Sequence, residues 1–279
     1  FNKDFAAPIE NENNAEQLER FKKITSPFIL RRLKTDKCII NDLPEKMERD
    51  CFVQLTKEQT ALYQEVVNTM LDALNNTEEH SIERSQFLKK EDDRVALSGK
   101  AEMLLELLSS IYENDEKVLI FTQYKEMGEI LARIVEAAFD TKPLFLHGGV
   151  ARQKRDEMVE AFQNKKHVKM FILSIKAGGT GLYLTAANHV IHYDLWWNPA
   201  VEAQATDRAF RIGQQKNVLV HRFISKGTFE EKINQMLQDK KHLADLTVAS
   251  GEKWMGDLST RELQDLVHMD CSTLPPRRA

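Results

Sequence analysis

Val118 to Leu146 reads VLIFTQYKEMGEILARIVEAAFDTKPLFL, and it changes period twice. VLIFT (118–122) is a short unbroken apolar run, the pattern of a strand buried on both faces. Met127, Ile130, Leu131 and Ile134 then recur at helical spacing and predict an amphipathic helix over 124–138. PLFL (143–146) is a second short apolar run. A buried strand, a helix and another buried strand make the repeating unit of a parallel sheet covered on both faces.

The same alternation continues in both directions. Upstream, Met103, Leu104, Leu107, Leu108 and Ile111 predict a helix over 100–112. Downstream come a helix over 151–163, the strand VKMFIL (168–173), a glycine loop and the strand HVIHYD (189–194). A helix over 199–210, the strand VLVHRFI (218–224) and a helix over 228–240 complete the series. The expected fold class is α/β, a three-layer parallel sheet with helices on both faces. Working loops in such sheets lie at the carboxyl ends of the strands.

The chain has a different character before Ser98. EQLERFKKI (16–24) reads as a short amphipathic helix halted by Ser26 and Pro27, and MERDCFVQL (47–55) alternates like a strand. Thr56 is a helix cap with Glu58 and Gln59 in the first turn, and Leu62, Val66, Met70, Leu71 and Leu74 mark the face expected to be buried. NNTEEHSIERSQ (75–86) is polar and reads as a loop.

Composition bounds the function class. Of 279 residues, 42% are hydrophobic and 29% charged, which excludes a chain disordered throughout. The formal net charge is −4, and residues 100–240 are nearly neutral, so bulk charge makes no case for nucleic acid or an anionic membrane. Any such binding must come from a few loop groups. Cys38, Cys51 and Cys271 are far apart and form no C-x-x-C pair, which predicts a reducing, intracellular setting with neither a disulfide framework nor a metal site. No apolar run approaches the ~20 residues needed to span a bilayer, so no membrane partner is expected. The chain begins at Phe1 without methionine, and the expectation is a piece of something longer.

Four loops at predicted strand ends carry candidate chemistry: FTQY (121–124), LHGGV (146–150), SIKAGGTG (174–181) and DLWWNP (194–199). In SIKAGGTG the glycines bring backbone N–H groups close to an anion, with Ser174, Lys176 and Thr180 adding donors; the plainer reading is a tight turn. It is not G-x-x-x-x-G-K-[ST], and that phosphate-binding signature occurs nowhere in the chain, nor does an acidic D-E-x-H box. Gln204, Asp207, Arg208 and Arg211 fall at i, i+3, i+4 and i+7 of the helix predicted over 199–210, placing two guanidinium groups on one face. That face suits a phosphate, or else the arginines pair with Asp207 and Glu202 on a solvated surface. Trp196 and Trp197 are adjacent, so one enters the core and the other reaches outward, as a nucleic-acid contact or as surface packing. His189, His192 and His221 lie within apolar strands and read as structural, without a carboxylate partner in the sequence pattern.

Taken in order, these strings resemble the second RecA-like lobe of a Swi/Snf-type ATPase of helicase superfamily two. FTQY is similar to motif IV, LHGGV to the following nucleic-acid loop, SIKAGGTGL to motif V, and DLWWNPAVEAQATDRAFRIGQ (194–214) to motif VI with its upstream WWNP signature. FILRRLKTD (28–36), DLPEK (42–46), TKEQTALY (56–63) and FISKGTFEEKI (223–233) resemble the flanking segments. Tyr183 stands where motif V commonly has Asn, and Phe210 where motif VI often has His.

The resemblance implies a division into a connector after an absent first lobe (1–55), a helical insertion and loop (56–98), the second RecA-like lobe (99–242) and a C-terminal tail (243–279). It implies a motor that hydrolyses ATP with Mg²⁺, moves along double-stranded DNA and remodels DNA-bound protein complexes, with the first lobe as partner and supplier of most phosphate and Mg²⁺ contacts. Arg208 and Arg211 would be the catalytic arginine fingers. Gly179, Thr180, Gly181 and Gln204 would line the nucleotide side of the cleft. Gln123, His147, Gly148, Ser174, Lys176 and Trp197 would grip DNA. No metal ligands are expected in this chain, and the segment alone is expected to be inactive. Two other readings are an RNA helicase lobe, whose motif VI would read like H-R-x-G-R-x-x-R, and a non-catalytic helical scaffold. What precedes Phe1 discriminates the scaffold from the motor.

Overall fold

Six strands, all parallel, form one sheet in the computed structural model, which describes residues 20, 23–24, 43–75, 98–174, 181–196 and 198–244. They are β1 (Lys46–Val53), β2 (Val118–Thr122), β3 (Leu144–Leu146), β4 (Met170–Ser174), β5 (His189–His192) and β6 (Val218–Ser225), in the spatial order β1-β6-β5-β2-β4-β3. Helices among the described residues accompany them: α1 (Lys57–Asn75), α2 (Gly99–Glu113), α3 (Lys125–Phe139), α4 (Arg152–Asn164), α5 (Pro199–Thr206) and α6 (Phe229–Ala244).

Alternating side chains of the central strands feed two separate cores. Leu119 and Phe121 of β2, with Phe171 and Leu173 of β4, pack with Phe162 of α4 and Ala205 of α5 on one face. Val118 and Ile120, with Met170 and Ile172, pack with Leu104 and Leu108 of α2 and Leu131 and Val135 of α3 on the other. This is the three-layer arrangement that the apolar runs predict. Each of these Val, Leu, Ile, Phe and Met side chains, fully buried, contributes roughly 1.5–3 kcal/mol over leaving it in water. The close seating of α3 explains Gly128, because a Cβ there would lie 2.4 Å from the Phe145 ring.

The alternating stretch near residue 50 is β1, an edge strand paired in parallel with β6 from Lys46↔Val218 to Val53↔Ser225. The sheet thus takes in chain that precedes Ser98. The Thr56 cap is reciprocal: Gln59 N–H donates to Thr56 Oγ1 and Thr56 N–H donates to Gln59 Oε1, both at 3.2 Å. The buried face of α1 differs from expectation. Leu62 and Val66 are 52% and 39% exposed, whereas Val67 is buried and Tyr63 is turned inward to accept the Phe229 N–H at 3.0 Å. That hydrogen bond to the start of α6 sets the helix's rotation, which apolar spacing alone does not determine. The side chains of Met70, Leu71 and Leu74, the segment EQLERFKKI apart from Arg20, Lys23 and Ile24, the loop over 76–86 and the tail beyond Ala244 lie outside the described residues.

The expected helix over 199–210 is shorter than predicted. α5 starts as expected, with Pro199 in its first turn and Asn198 Oδ1 accepting the Ala200 N–H at 3.0 Å, but it ends at Thr206. From there the chain tightens: Arg208 N–H donates to Ala205 O, Ala209 N–H to Thr206 O and Arg211 N–H to Ala209 O. Ala209 and Phe210 are thereby driven into the first core. Gly213, at φ 100, completes the exit.

Candidate functional site

The site is assembled at the carboxyl edge of the sheet, where the loops after β2 and β5 and the turn after α5 meet. Asp194, just past β5, is the hub. Its Oδ2 accepts from Thr122 Oγ1 at 2.5 Å and from the Gln123 N–H at 3.2 Å. Burial pushes the Asp194 carboxyl above the ordinary carboxylate range, opposed by the Lys100 charge and the Thr122 hydrogen bond. Lys100, at the start of α2, donates to Tyr193 O at 2.9 Å and to Glu230 Oε1 at 2.7 Å. Glu230 Oε2 in turn accepts the Ser225 N–H at 2.9 Å. Five elements, α2, β2, β5, β6 and α6, are thus fastened behind the FTQY and DLWW loops.

A second anchor holds the tryptophan loop. Glu202 on α5 is buried; its Oε1 accepts the Trp196 N–H at 2.7 Å and its Oε2 accepts from Arg222 Nε at 3.1 Å. Burial raises the Glu202 carboxyl, and the Arg222 charge opposes that shift. Arg222 also donates to Asp50 Oδ1 at 2.7 Å and Asn234 Oδ1 at 3.0 Å, so β1, α5, β6 and α6 share one guanidinium. A buried charge shared in this way is costly to strip of partners.

The motif-VI-like turn separates two arginines that the sequence placed on one helical face. Arg208 is 7% exposed with its guanidinium carbon 6.0 Å from the Phe121 ring centroid, and burial, with the Arg155 charge adding, pulls it down to about 10. Arg211 is half-buried, and its guanidinium carbon stands 4.0 Å over the ring of Tyr183. Because α5 stops at Thr206, Arg208 and Arg211 leave from successive tight turns, and Gln204 is exposed on the helix proper. Backbone ties join this turn to the glycine loop's exit: Leu184 N–H donates to Arg208 O at 3.0 Å. Gln214 Nε2 donates to Ala187 O at 2.8 Å and Ala209 O at 3.1 Å, tying the turn after α5 to the segment that leads into β5.

The other expected site residues are placed as follows. Gln123 spends its side-chain amide on Leu195 O, linking the FTQY loop to the tryptophan loop. His147 is half-buried beside Phe145, and its Nδ1 accepts the Gly149 N–H at 3.2 Å. Gly148 is exposed, with nothing within 4 Å of the position a Cβ would take. Ser174 is buried at the end of β4. Gly181 holds φ 103 and likewise faces open space, a backbone geometry that suits close approach of a ligand. Trp196 packs against the first core. Lys176, Gly179, Thr180 and Trp197 lie outside the described residues.

Sequence pattern left Lys100, Asp194, Arg222 and Gln214 without a role and offered Glu202 as a surface partner of Arg208 and Arg211, whereas Glu202 is buried and paired with Arg222 through long-range packing. One histidine reading is corrected: His189 does have a carboxylate partner, with Nε2 2.7 Å from Glu116 Oε2, and its ring stacks on His221. His189 opens β5, at the end of the sheet away from the loops, and His221 lies mid-way along β6. Among the described residues no group of three or more His, Cys, Asp or Glu is arranged to hold a metal ion, and no helix is long and apolar enough to cross a membrane.

Comparison with known proteins agrees with this geometry. Residues 99–213 match the helicase conserved C-terminal domain and residues 1–107 match the SNF2-related domain. The SWI2/SNF2 ATPase C-terminal domain of Sulfolobus solfataricus superposes with a TM-score of 0.66 at 34% identity, covering 81% of this chain and 100% of that one. The chain belongs to the SWI2/SNF2 family. The Sulfolobus solfataricus SWI2/SNF2 ATPase core in complex with dsDNA matches with a TM-score of 0.69 at 39% identity, covering 97% of this chain and 60% of that one. YwqA of Bacillus subtilis, which bears the name of an ATP-dependent helicase/translocase, is 44% identical over 284 residues, covering 95% of this chain and 31% of its own length. This SWI2/SNF2 chain therefore spans about a third of that relative, carrying the helicase C-terminal domain and residues of the SNF2-related domain.

Proposed function

We propose that the chain is the second motor lobe of an ATP-dependent translocase that tracks double-stranded DNA and remodels protein–DNA complexes. The observation that carries this reading is the pair of arginines at the carboxyl edge, Arg208 buried beneath and Arg211 half-exposed, on a turn hydrogen-bonded to the exit of the glycine loop.

In the reaction, ATP with Mg²⁺ is the substrate, bound chiefly by a preceding lobe with the phosphate loop and acidic box that this sequence lacks. Arg211, projecting from its turn, neutralises charge that develops on the transferring phosphoryl group, and Arg208 supports it from below. Fingers of this kind contribute roughly 10³–10⁵ in rate. Gly179, Thr180 and Gly181 border the nucleotide with Gln204, while Gln123, His147, Gly148, Ser174, Lys176 and Trp197 form the DNA track. Gln123 acts there by its grip on Leu195, which holds the FTQY loop to the tryptophan loop. Closure and opening of the cleft move one lobe against the other, and with it the DNA.

Assays with duplex DNA and RNA test this reading. In the full-length protein, turnover rises with duplex DNA far more than with RNA, and the 279-residue segment alone hydrolyses no ATP. Lys176→Ala weakens DNA binding by a similar factor for every sequence, because phosphate contacts position without specifying. Preferential stimulation by RNA, or a sequence-dependent loss of affinity, contradicts the proposal.

A further inference from the structure

Tyr183 has no packing reason to be aromatic. Its neighbours Leu182 and Leu184 are buried in the first core, whereas Tyr183 itself is 53% exposed. Its backbone is nevertheless fixed, since Gly181 turns the chain at φ 103 just before it and the Leu184 N–H donates to Arg208 O just after it. The ring is thus a rigid platform at a known distance from the motif-VI-like turn. What occupies the platform is Arg211, with its guanidinium carbon 4.0 Å from the ring centroid.

Resting on the reading of Arg211 as a finger, we propose that Tyr183 is a positioning residue that presets Arg211 for phosphate by stacking beneath its guanidinium. A long arginine side chain leaving a tight turn has many rotamers to lose when it engages a phosphate. A stack on the ring face removes part of that freedom before nucleotide arrives, and it uses only the flat side of the guanidinium. The in-plane N–H fork remains available for bidentate contact with phosphate oxygens. Tyr183 here works on the reacting group through Arg211 and touches no substrate itself. Asparagine at this position offers no ring face, so this chain orients its finger by a device its own sequence supplies.

The test uses the full-length protein, DNA-stimulated ATPase kinetics and melting temperature, with three variants. Tyr183→Leu removes the ring at an exposed site and lowers kcat by about two- to fivefold, the worth of an exposed cation–π contact, while KM for ATP and the melting temperature stay at parent values. Tyr183→Phe keeps the face and restores kcat. An unchanged kcat in Tyr183→Leu, a Tyr183→Phe variant as slow as Tyr183→Leu, or a loss that follows a fall in melting temperature overturns the stacking role. Arg211→Ala, measured alongside, keeps the two ideas apart. If Arg211→Ala abolishes turnover and Tyr183→Leu does nothing, the platform fails alone; if Arg211→Ala retains turnover, the finger reading fails and the inference with it.

Discussion

His192 sits fully buried on β5 with Nε2 2.9 Å from Thr206 Oγ1, while its Nδ1 has no hydrogen-bond partner among the described residues. Burial, with the Arg222 charge adding, pulls this imidazole down to about 3, against an unfolded value near 6.5. The folded state therefore resists a proton that the unfolded state accepts. The stability this group contributes is fully present above pH ~6.5 and is lost as pH falls toward ~3, at about 1.4 kcal/mol per pH unit. His221, lowered to about 4 by burial and by His189, acts in the same direction over a narrower window. His192→Gln takes one proton out of this linkage. Urea midpoints measured between pH 7 and pH 5 fall less steeply for the variant than for the parent, and parallel slopes contradict the assignment.

Elements are held in register by close approaches as much as by apolar area. Gly128 lets α3 sit against β3 where a methyl group would stand 2.4 Å from the Phe145 ring. Gly128→Ala forces a shift in a packed layer and costs about 1–3 kcal/mol, read as a lowered urea midpoint with unchanged slope. An unchanged midpoint means that α3 has room to move. The strands and most helix limits were legible in the sequence because VLIFT, PLFL and VKMFIL are apolar on both faces and the helices between them keep one period. The end of α5 was not legible. AVEAQATDRAF continues a helical pattern, yet burial of Ala209 and Phe210 and the bonds from Gln214 pull the chain into turns. The rotation of α1 likewise depends on the Tyr63 hydroxyl meeting the start of α6. Among the site residues, the motif strings gave Arg208 and Arg211 their positions in the chain. The Asp194 and Arg222 networks that hold the loops join residues as far apart as Asp50 and Asn234, which no local window contains.

At the scale of the whole molecule, a net charge of −4 and a nearly neutral lobe fit the proposed contact with nucleic acid through a few loop groups rather than a basic face. The described ones among the groups proposed for this, Gln123, His147, Gly148 and Ser174, lie at the carboxyl ends of β2, β3 and β4, and the Asp194 and Arg222 networks brace the loops after β2 and β5 from behind. A braced edge carrying one projecting guanidinium suits the proposed task of completing a nucleotide site across a cleft. The central claim is that Arg211 supplies charge to the reacting phosphate. The measurement that tests it most directly compares ATP binding and DNA-stimulated hydrolysis in full-length parent and Arg211→Ala proteins. Binding within a few-fold of the parent with hydrolysis lowered by about 10³ or more is the predicted result, and near-normal turnover in Arg211→Ala contradicts it.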